Sequence, residues 1–598
     1  MMRNLRQTIT EQLLPRVRRP AQYCGLEFNR RCGDVSSAEI TVALAFPDAY
    51  EVGISHLGTQ LLYTIMNTTP GVACDRSYCP MPDAERVMRE HAIPLFGWES
   101  RSPLIDFDIV GFSLSYEMVL TNVLTMLDLA GIPLHGADRT DEHPIILAGG
   151  TQADAPEVMA DFIDIFLVGD GEGPLPELVN LVRRMKSQGA GRAEILLEAA
   201  RTIPEAYVPS LWQPIHHADG TLAGMVPTRD DLPRMISRAC VPLSASPAIT
   251  HPLVPLSEGV FDRISIEVMR GCPNACRFCH AGYTKKPVRW RSVDEIIAVA
   301  QEAVNNTGCR EISLLSLSTS DYPKLDELVR RMNETFAPQQ VSIALPSLRV
   351  DKHLANLPWQ LNKVRKGGLT IAAEVGSDRL RQALHKQVTN ENLLAGTSAA
   401  YGAGWKSIKV YFMAGFPGET EDDLVGIIDL CRQMSWARKA IDNQKGAVTA
   451  SVSWLVPKPH TPLQWSSAGG EEYFWHVRTM LRDMTRRSPV TVKCHRIERS
   501  LVEAAIARGD RRLGKVIENA WRAGARFDGW DEHFNYDLWR QAFLEAGLDM
   551  AFFGQRERPV DEVLPWDHIA SPRSRESLIR EWQDYQAIMA SPEPDCGL

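Results

Sequence analysis

Three closely spaced cysteines give the sequence its clearest chemical signal. Cys272, Cys276 and Cys279 lie in the segment RGCPNACRFCHAG, separated by three and then two residues. The run RISIEVM, which alternates apolar and polar residues as a strand does, comes immediately before this segment. Thiolates are preferred ligands of soft metal ions and of iron-sulfur clusters. The spacing therefore predicts a metal or cluster site in a loop at the end of a strand.

The number of thiols in this loop indicates a site with an open position. Four thiolates close a structural zinc site or complete a cluster, and the nearest cysteine outside the loop is Cys309. Three thiolates can hold three irons of a 4Fe-4S cube and leave the fourth iron free to bind a substrate or cofactor. The alternatives are a non-catalytic iron-sulfur scaffold, a zinc site completed by His280, or buried thiols without a metal.

The segments around the cysteines alternate between strand and helix patterns. Amphipathic stretches such as SVDEIIAVAQEAVNNTG are typical of helices that connect parallel strands. Six such units predict a partial (β/α)6 barrel, in which active residues collect at the C-terminal ends of the strands. The predicted strands span residues 264–269, 311–317, 341–345, 369–374, 407–412 and 450–456.

A second α/β pattern fills the N-terminal part of the chain and predicts a doubly wound, Rossmann-like domain. Its predicted strands span residues 40–45, 109–113, 145–148 and 165–168. We therefore expect four regions: an N-terminal domain (1–184), a proline-containing connecting segment (185–259), the barrel (260–467) and a mainly helical C-terminal region (468–598).

The overall composition excludes several classes of protein. No apolar stretch of the 598 residues is long enough to cross a bilayer, and the first residues lack the features of a secretory signal. A formal charge of −9 argues against non-specific coating of nucleic acid or membrane by the whole protein. Twelve cysteines in a chain of this length do not form a disulfide framework. We therefore expect a cytoplasmic protein without membrane partners.

The cysteine loop resembles that of the radical S-adenosylmethionine (SAM) superfamily. Over nearly its full length the chain is similar to an uncharacterised family of that superfamily, through FPDAYEVGISHLG, VGDGEG, VPKPHTPLQW, RGDRRLG, FDGW and LPWDHI. In the superfamily, SAM chelates the open iron, and one electron from the reduced 4Fe-4S cluster cleaves it to a 5′-deoxyadenosyl radical. The resemblance implies a radical enzyme that modifies a C–H bond, with cobalamin-dependent methyl transfer as a subtype. It also implies a flavodoxin or ferredoxin as electron donor.

The same resemblance implies contacts to SAM. The aromatic Phe278 precedes the third cysteine, and Ser316 and Ser318 stand where the superfamily usually has glycine-glycine-glutamate. Arg349 and Glu374 match positions on later strands that contact the ribose or carboxylate of the cofactor. Local ion pairing is an equal alternative for these two charged residues, because charged groups at strand ends often pair with neighbours.

The N-terminal domain resembles the cobalamin-binding domain of cobalamin-linked radical enzymes. Ser113 follows one predicted strand, and Gly149 and Gly150 follow the next, so that a corrin or its nucleotide tail would lie against small residues. The chain lacks the aspartate-x-histidine-x-x-glycine loop that supplies an axial histidine in some cobalamin proteins, and His56 has different neighbours. The alternative is a domain that packs on the barrel and shapes the substrate entrance.

A basic segment of the C-terminal region leaves RNA open as a substrate. If it met RNA phosphates, the enzyme would be an RNA-modifying radical SAM enzyme that catalyses methylation or methylthiolation. A solvated helical face paired with nearby acids, such as Glu498, Glu503 and Asp510, explains the same pattern. The basic residues are Arg482, Arg486, Arg487, Lys493, Arg496 and Arg499.

Overall fold

Two α/β units with parallel sheets and a set of C-terminal helices make up the fold, which confirms the predicted fold class. The computed structural model describes residues 3–345 and 369–591. No helix in these ranges is both long enough and apolar enough to span a bilayer.

The N-terminal unit is a six-stranded sheet in the order β2-β1-β3-β4-β5-β6. All neighbours are parallel except the last pair. Its strands are β1 Ile40–Phe46, β2 Val72–Tyr78, β3 Ile109–Ser113, β4 Ile145–Gly149, β5 Ile165–Leu167 and β6 Ala206–Tyr207. Its helices are α1 Arg6–Thr8, α2 Tyr50–Gly53, α3 Leu57–Thr68, α4 Pro82–Glu90, α5 Leu120–Ala130, α6 Pro174–Ser187 and α7 Arg192–Thr202.

Strand β2 is absent from the sequence prediction because three polar residues, Asp75, Arg76 and Ser77, interrupt its apolar character. The structure buries all seven residues of the strand. Arg76 is compensated by two buried carboxylates, those of Glu27 at 3.2 Å and Glu99 at 2.8 Å. A buried charge is tolerated only with such partners, and neither partner is visible from local pattern.

A short antiparallel hairpin lies in the predicted connecting segment and precedes the barrel. It consists of β7 Trp212–His216 and β8 Leu222–Pro227. The second α/β unit then forms two runs of parallel strands, in the orders β13-β12-β9 and β14-β15-β16-β17. These strands are β9 Ile264–Glu267, β12 Glu311–Leu315, β13 Ser342–Ala344, β14 Leu369–Glu374, β15 Ser407–Ala414, β16 Ala447–Trp454 and β17 Val490–Cys494, and β10 Met269–Arg270 pairs separately with β11 Arg289–Trp290.

The helices of the barrel unit are α8 His280–Thr284, α9 Val293–Thr307, α10 Leu325–Phe336, α11 Asp378–Ala383, α12 Asn390–Gly402, α13 Glu421–Ala437 and α14 Lys439–Asp442. Helices α9, α10, α12 and α13 share hydrophobic cores with the strands. Local sequence sets their ends: α9 begins at the N-cap Ser292, whose side chain accepts a hydrogen bond from the Glu295 amide, and ends at Gly308. The seventh parallel strand, β17, lies in the region predicted to be mainly helical.

Further helices follow in the C-terminal region, namely α15 Glu471–Met484, α16 Ile497–Ala507, α17 Leu513–Arg522, α18 Tyr536–Glu545, α19 Met550–Gly554 and α20 Arg575–Ala590. Helices α16 to α19 share a hydrophobic core with the N-terminal sheet, whereas α15 packs with the core of β14 to β17 and α20 packs against α11. Helix α17 packs on α5, and the Trp521 indole donates a hydrogen bond of 3.1 Å to Thr125. One hydrophobic core therefore contains residues from both ends of the sequence.

Candidate functional site

The three cysteines lie in one loop between β10 and α8, at the C-terminal end of the first barrel strand. The Cys279 amide donates to the Cys276 carbonyl at 2.9 Å, and the Gly282 amide donates to the Cys279 carbonyl at 3.1 Å. Gly271 opens the loop with φ of 86°, and a Cβ there would lie 2.2 Å from the Lys285 carbonyl oxygen. Only glycine accepts this conformation and this close approach. The loop is thus tightly turned, and its three thiols are partly exposed.

The electrostatics of the loop show that the thiols influence one another. Burial, with smaller contributions from the thiols of Cys279 and Cys272, raises the pKa of Cys276 to about 11. Burial likewise raises the pKa of Cys279, and Cys272 adds to that effect. The Lys386 ammonium acts in the opposite direction on both. A bound metal takes the place of the protons on such thiols, because thiolates are the ligating form.

The donor set fits an iron-sulfur cluster. Three soft thiolates on one loop are the ligands that such clusters use. In the described ranges, 3–345 and 369–591, no group of three or more histidine, cysteine and acidic side chains, the loop cysteines included, is arranged to hold a metal ion. The fit to a cluster therefore rests on the three thiol donors and their spacing in the chain. His280, which the zinc alternative requires, has its Nε2 atom 3.2 Å from an Asp154 carboxylate oxygen.

Of the two serines after strand β12, Ser318 is linked to the cysteine loop. The Ser318 hydroxyl donates to Asp321 at 2.6 Å, and the same carboxylate oxygen accepts a hydrogen bond of 2.7 Å from Asn274. Asn274 in turn lies 3.5 Å from the Cys272 sulfur. The Ser316 hydroxyl is 2.9 Å from that of Thr319. The predicted SAM contacts on this strand therefore lie beside the loop, and their role stays a prediction.

Glu374 also lies near the thiols. It ends β14 at a register irregularity and has φ of 69°, which is uncommon for a residue other than glycine. Its carboxylate is 3.0 Å from the Lys386 ammonium. The alternative of a local ion pair is therefore present in the structure, and it places both charges next to Cys276 and Cys279. Arg349 lies outside the described residues.

Phe278 packs beside the loop against a second aromatic ring. Its ring centroid is 6.1 Å from that of Phe416, in an edge-on arrangement. Phe416 belongs to the segment GFPGE that follows β15. Phe278 therefore helps to hold this segment against the cysteine loop.

The predicted cobalamin residues lie together at the C-terminal edge of the N-terminal sheet. Ser113 and Gly149 are register partners at the ends of β3 and β4. The Ser113 hydroxyl is 3.2 Å from that of Thr59, which is 2.8 Å from the imidazole of His56. Gly150 is exposed, and a Cβ there would lie 2.6 Å from the Leu114 carbonyl oxygen. The structure thus forms a small-residue ledge at this edge, and its use for cobalamin stays a prediction.

This edge of the N-terminal sheet faces the cysteine loop. Asp154, which follows β4, lies 2.8 Å from Arg238 and 3.2 Å from His280, the residue after Cys279. Burial alone raises the pKa of Asp154, but Arg238 and His280 hold it below its usual value. The His460 imidazole lies 2.8 Å from the Asp154 carbonyl oxygen. A second loop, after β5, brings Asp170 3.3 Å from Arg270.

Sequence reasoning missed this contact between the two units. The sequence indicates this contact only through the polar residues that follow strand ends, such as those of LAGGTQADAPE. Lys458 makes a similar contact: its ammonium donates to Glu117, which follows β3, and to Glu503 of α16 at 2.9 Å. Opposite charges from three regions of the chain therefore meet beside the site.

The basic segment of the C-terminal region is partly neutralised. Arg486 lies 2.8 Å from Asp483, Arg499 lies 2.7 Å from Asp531, and Arg496 lies 3.7 Å from Glu498. The structure thus supports the alternative of paired charges for these three residues. Lys493 is exposed on β17.

Two family models match the chain. The model described as "Radical SAM proteins, N-terminal" matches residues 58–209, and the model described as "Radical SAM superfamily" matches residues 266–431. Each match falls in one of the two α/β units and spans part of it.

Several curated proteins are similar in sequence. An uncharacterised protein of Methanocaldococcus jannaschii is 24% identical over 80% of this chain and 90% of its own length. A ribosomal protein uS12 methylthiotransferase of Pelotomaculum thermopropionicum is 24% identical over 55% of this chain and 77% of its own. A tRNA-2-methylthio-N(6)-dimethylallyladenosine synthase of Sorangium cellulosum is 27% identical over 33% of this chain, which spans 42% of that enzyme.

Among solved structures, a radical SAM methyltransferase of Kitasatospora setae with cobalamin and a [4Fe-4S] cluster bound matches with a TM-score of 0.47 and 14% identity. The match covers 71% of this chain and 76% of the methyltransferase.

Proposed function

The chain belongs to the radical SAM superfamily, and from this premise we propose that Cys272, Cys276 and Cys279 hold a 4Fe-4S cluster at which SAM is cleaved. The observation that carries the proposal is the grouping of three electrostatically coupled thiols in one loop at the end of the first barrel strand. When bound, the cluster and SAM supply a one-electron cleavage that yields a radical able to remove hydrogen from a C–H bond.

The chain's own side chains would orient the cofactor and restrict water. Ser316, Ser318 and Glu374 lie at the ends of strands β12 and β14, where SAM is expected to bind. The aromatic contact of Phe278 with Phe416 would shield one side of the loop. The sequence resemblance alone suggests Arg349 as a further contact to SAM. We expect a flavodoxin or ferredoxin to supply the electron in the cytoplasm.

Substitution of each loop cysteine tests the assignment. We expect C272A, C276A and C279A each to prevent cluster assembly and to lower SAM cleavage to background, because the cube loses an anchor. Cys309→Ala is the matched control, since this partly buried thiol lies outside the loop. Iron and sulfide content and 5′-deoxyadenosine formed anaerobically with dithionite are the readouts. Full cleavage activity in any loop variant would contradict the proposal, and a protein that binds a cluster but yields no 5′-deoxyadenosine would be the non-catalytic scaffold.

We further propose that cobalamin binds between the two units and that the reaction is a methyl transfer. Ser113, Gly149 and Gly150 form a ledge whose edge faces the cysteine loop, close enough for Asp154 to reach His280. Incubation of the same reconstituted protein with hydroxocobalamin should leave one corrin per chain after desalting, as measured by its visible spectrum. No retained corrin would favour the alternative, in which this edge only shapes the substrate entrance.

An RNA-modifying enzyme is the second candidate. It is favoured by the similarity to a tRNA-2-methylthio-N(6)-dimethylallyladenosine synthase, and by exposed basic residues such as Lys493 on β17.

A further inference from the structure

The inner face of the barrel sheet is polar and open on strands β15 and β17. Burial alternates along β15: Ile408, Val410 and Phe412 pack against the helices, whereas Lys409 and Tyr411 are exposed on the opposite face. In-register residues of a sheet point to the same side. The row of Lys409 therefore continues through Thr449 to Thr491, and the row of Tyr411 continues to Lys493.

Three carboxylates that the structure describes on this inner face have cationic partners. Glu267 lies 2.8 Å from Arg270, Glu311 lies 3.7 Å from Arg263, and Glu374 lies 3.0 Å from Lys386. They therefore do not balance additional positive charge on β15 and β17.

The two lysines differ from these carboxylates. Within the ranges that the structure describes, Lys409 and Lys493 have no carboxylate at ion-pair distance. The Lys409 ammonium donates to the Tyr411 hydroxyl at 3.2 Å and lies 4.6 Å from the centre of its ring. Tyr411 is itself 41% exposed. Among the described residues, the charge left over on this half of the inner face is therefore positive.

We infer that the substrate carries phosphate groups and that Lys409 and Lys493 bind them. This inference rests on the proposed function, because it takes the inner face of the barrel as the substrate chamber. The strand spacing places the two lysine backbones roughly 12 Å apart, so that their long side chains can reach either one diphosphate or successive phosphates of a nucleic acid strand. The hydroxyls of Tyr411, Thr449 and Thr491 lie on the same face and supply neutral donors.

Lysine acetylation of the reconstituted holoprotein tests the inference. Pyrophosphate, or a short single-stranded RNA, should protect Lys409 and Lys493 from an acetylating reagent by roughly tenfold or more, as measured by mass spectrometry of peptides. Lys324, an exposed lysine at the start of α10, is the internal control and should react equally in both samples. Unchanged acetylation of Lys409 and Lys493 with both probes would overturn the inference.

A binding measurement separates the two sources of phosphate. The double variant K409Q/K493Q should weaken binding of a fluorescein-labelled RNA about tenfold or more and reduce the slope of log K against log salt by about 1.4, whereas K324Q should change neither. That result assigns the phosphates to RNA. Protection by pyrophosphate without RNA binding assigns them to a phosphorylated small molecule and supports the inference equally. If the double variant does not fold, the acetylation of the natural protein still tests whether the two lysines bind phosphate.

Formation of 5′-deoxyadenosine by the natural protein tests the proposed function separately. A protein that forms 5′-deoxyadenosine without protecting the two lysines keeps the function and loses this inference.

Discussion

At the scale of single residues, the loop after β15 depends on one carboxyl group. Glu419 accepts a hydrogen bond of 2.8 Å from the Gly415 amide and another from the Tyr473 hydroxyl. Burial raises the pKa of Glu419 to about 7. The same loop carries Phe416, which packs on Phe278 of the cysteine loop. The protonation state of Glu419 is therefore linked to the stability of a segment that adjoins the site.

This linkage predicts a pH-dependent loss of stability. Between its ordinary pKa of 4.5 and the folded value of about 7, Glu419 binds more protons in the folded state than in the unfolded state, so stability falls as pH rises through this window and then levels off. Relative to E419Q, the natural protein should lose up to about 3 kcal/mol of unfolding free energy across this pH window. Urea unfolding at a series of pH values measures this difference. E472Q changes an exposed neighbouring glutamate and should follow the natural protein, and parallel pH profiles for E419Q and the natural protein would refute the linkage.

At the scale of elements, strand β2 depends on the charges buried with it. The side chain of Arg76 is 1% exposed and serves both Glu27 and Glu99. It also donates to the Tyr78 hydroxyl at 3.0 Å. One guanidinium group thus links the edge strand of the N-terminal sheet to two segments outside the sheet.

Removal of that group should destabilise the N-terminal sheet. R76M leaves two buried carboxylates without a cation, and we expect a loss of about 3–5 kcal/mol in the free energy of unfolding, measured by urea denaturation. The triple variant E27Q/R76M/E99Q should recover most of this loss because no unpaired charge remains. R86M, which removes an exposed arginine of α4, should change stability by less than about 0.5 kcal/mol. Equal stability of R76M and R86M would show that the buried pair contributes nothing.

The same elements show what the sequence can and cannot predict. The boundaries of β3 and β14 agree with the expected strands, since both are mainly apolar runs bounded by polar or glycine residues. Strand β2 was missed because its buried charges are compensated from distant segments, and β17 was missed because it lies between helical, basic stretches. The three cysteines are local in sequence and were found directly. The contacts of Asp154 with His280 and of Lys458 with Glu117 join residues 126 and 341 positions apart, and no local pattern encodes them.

At the scale of the whole molecule, Lys458 ties together the two α/β units and the C-terminal helices. Its ammonium group contacts Glu117 of the N-terminal unit and Glu503 of α16. Glu503 also accepts a hydrogen bond of 2.9 Å from Tyr116. Burial lowers the pKa of the Lys458 ammonium, but the two carboxylates more than offset this effect and keep it charged.

Loss of this charge should loosen the assembly. K458M leaves Glu117 and Glu503 facing each other, and we expect a cost of about 3 kcal/mol or more in thermal or urea unfolding. Proteolysis in the 185–259 segment should become faster, because the N-terminal unit separates more readily from the barrel. K458R retains the charge and is expected to stay close to the natural protein. A K458M protein as stable and as resistant to protease as the natural one would exclude this role.

The contacts between helix α20 and the cysteine loop can form only after the end of the chain has been synthesised. Arg277, between the second and third cysteines, bonds to Glu581 of α20 at 2.8 Å, and these two residues are 304 positions apart in the chain. The Tyr585 hydroxyl of the same helix bonds to the Pro417 carbonyl at 2.7 Å. At common rates of translation, roughly 15 to 60 s separate the synthesis of the loop from that of its cover. During this interval the bonds of α20 to Arg277 and to the Pro417 carbonyl are not yet formed, so the cysteine loop lacks its contacts with the last helix.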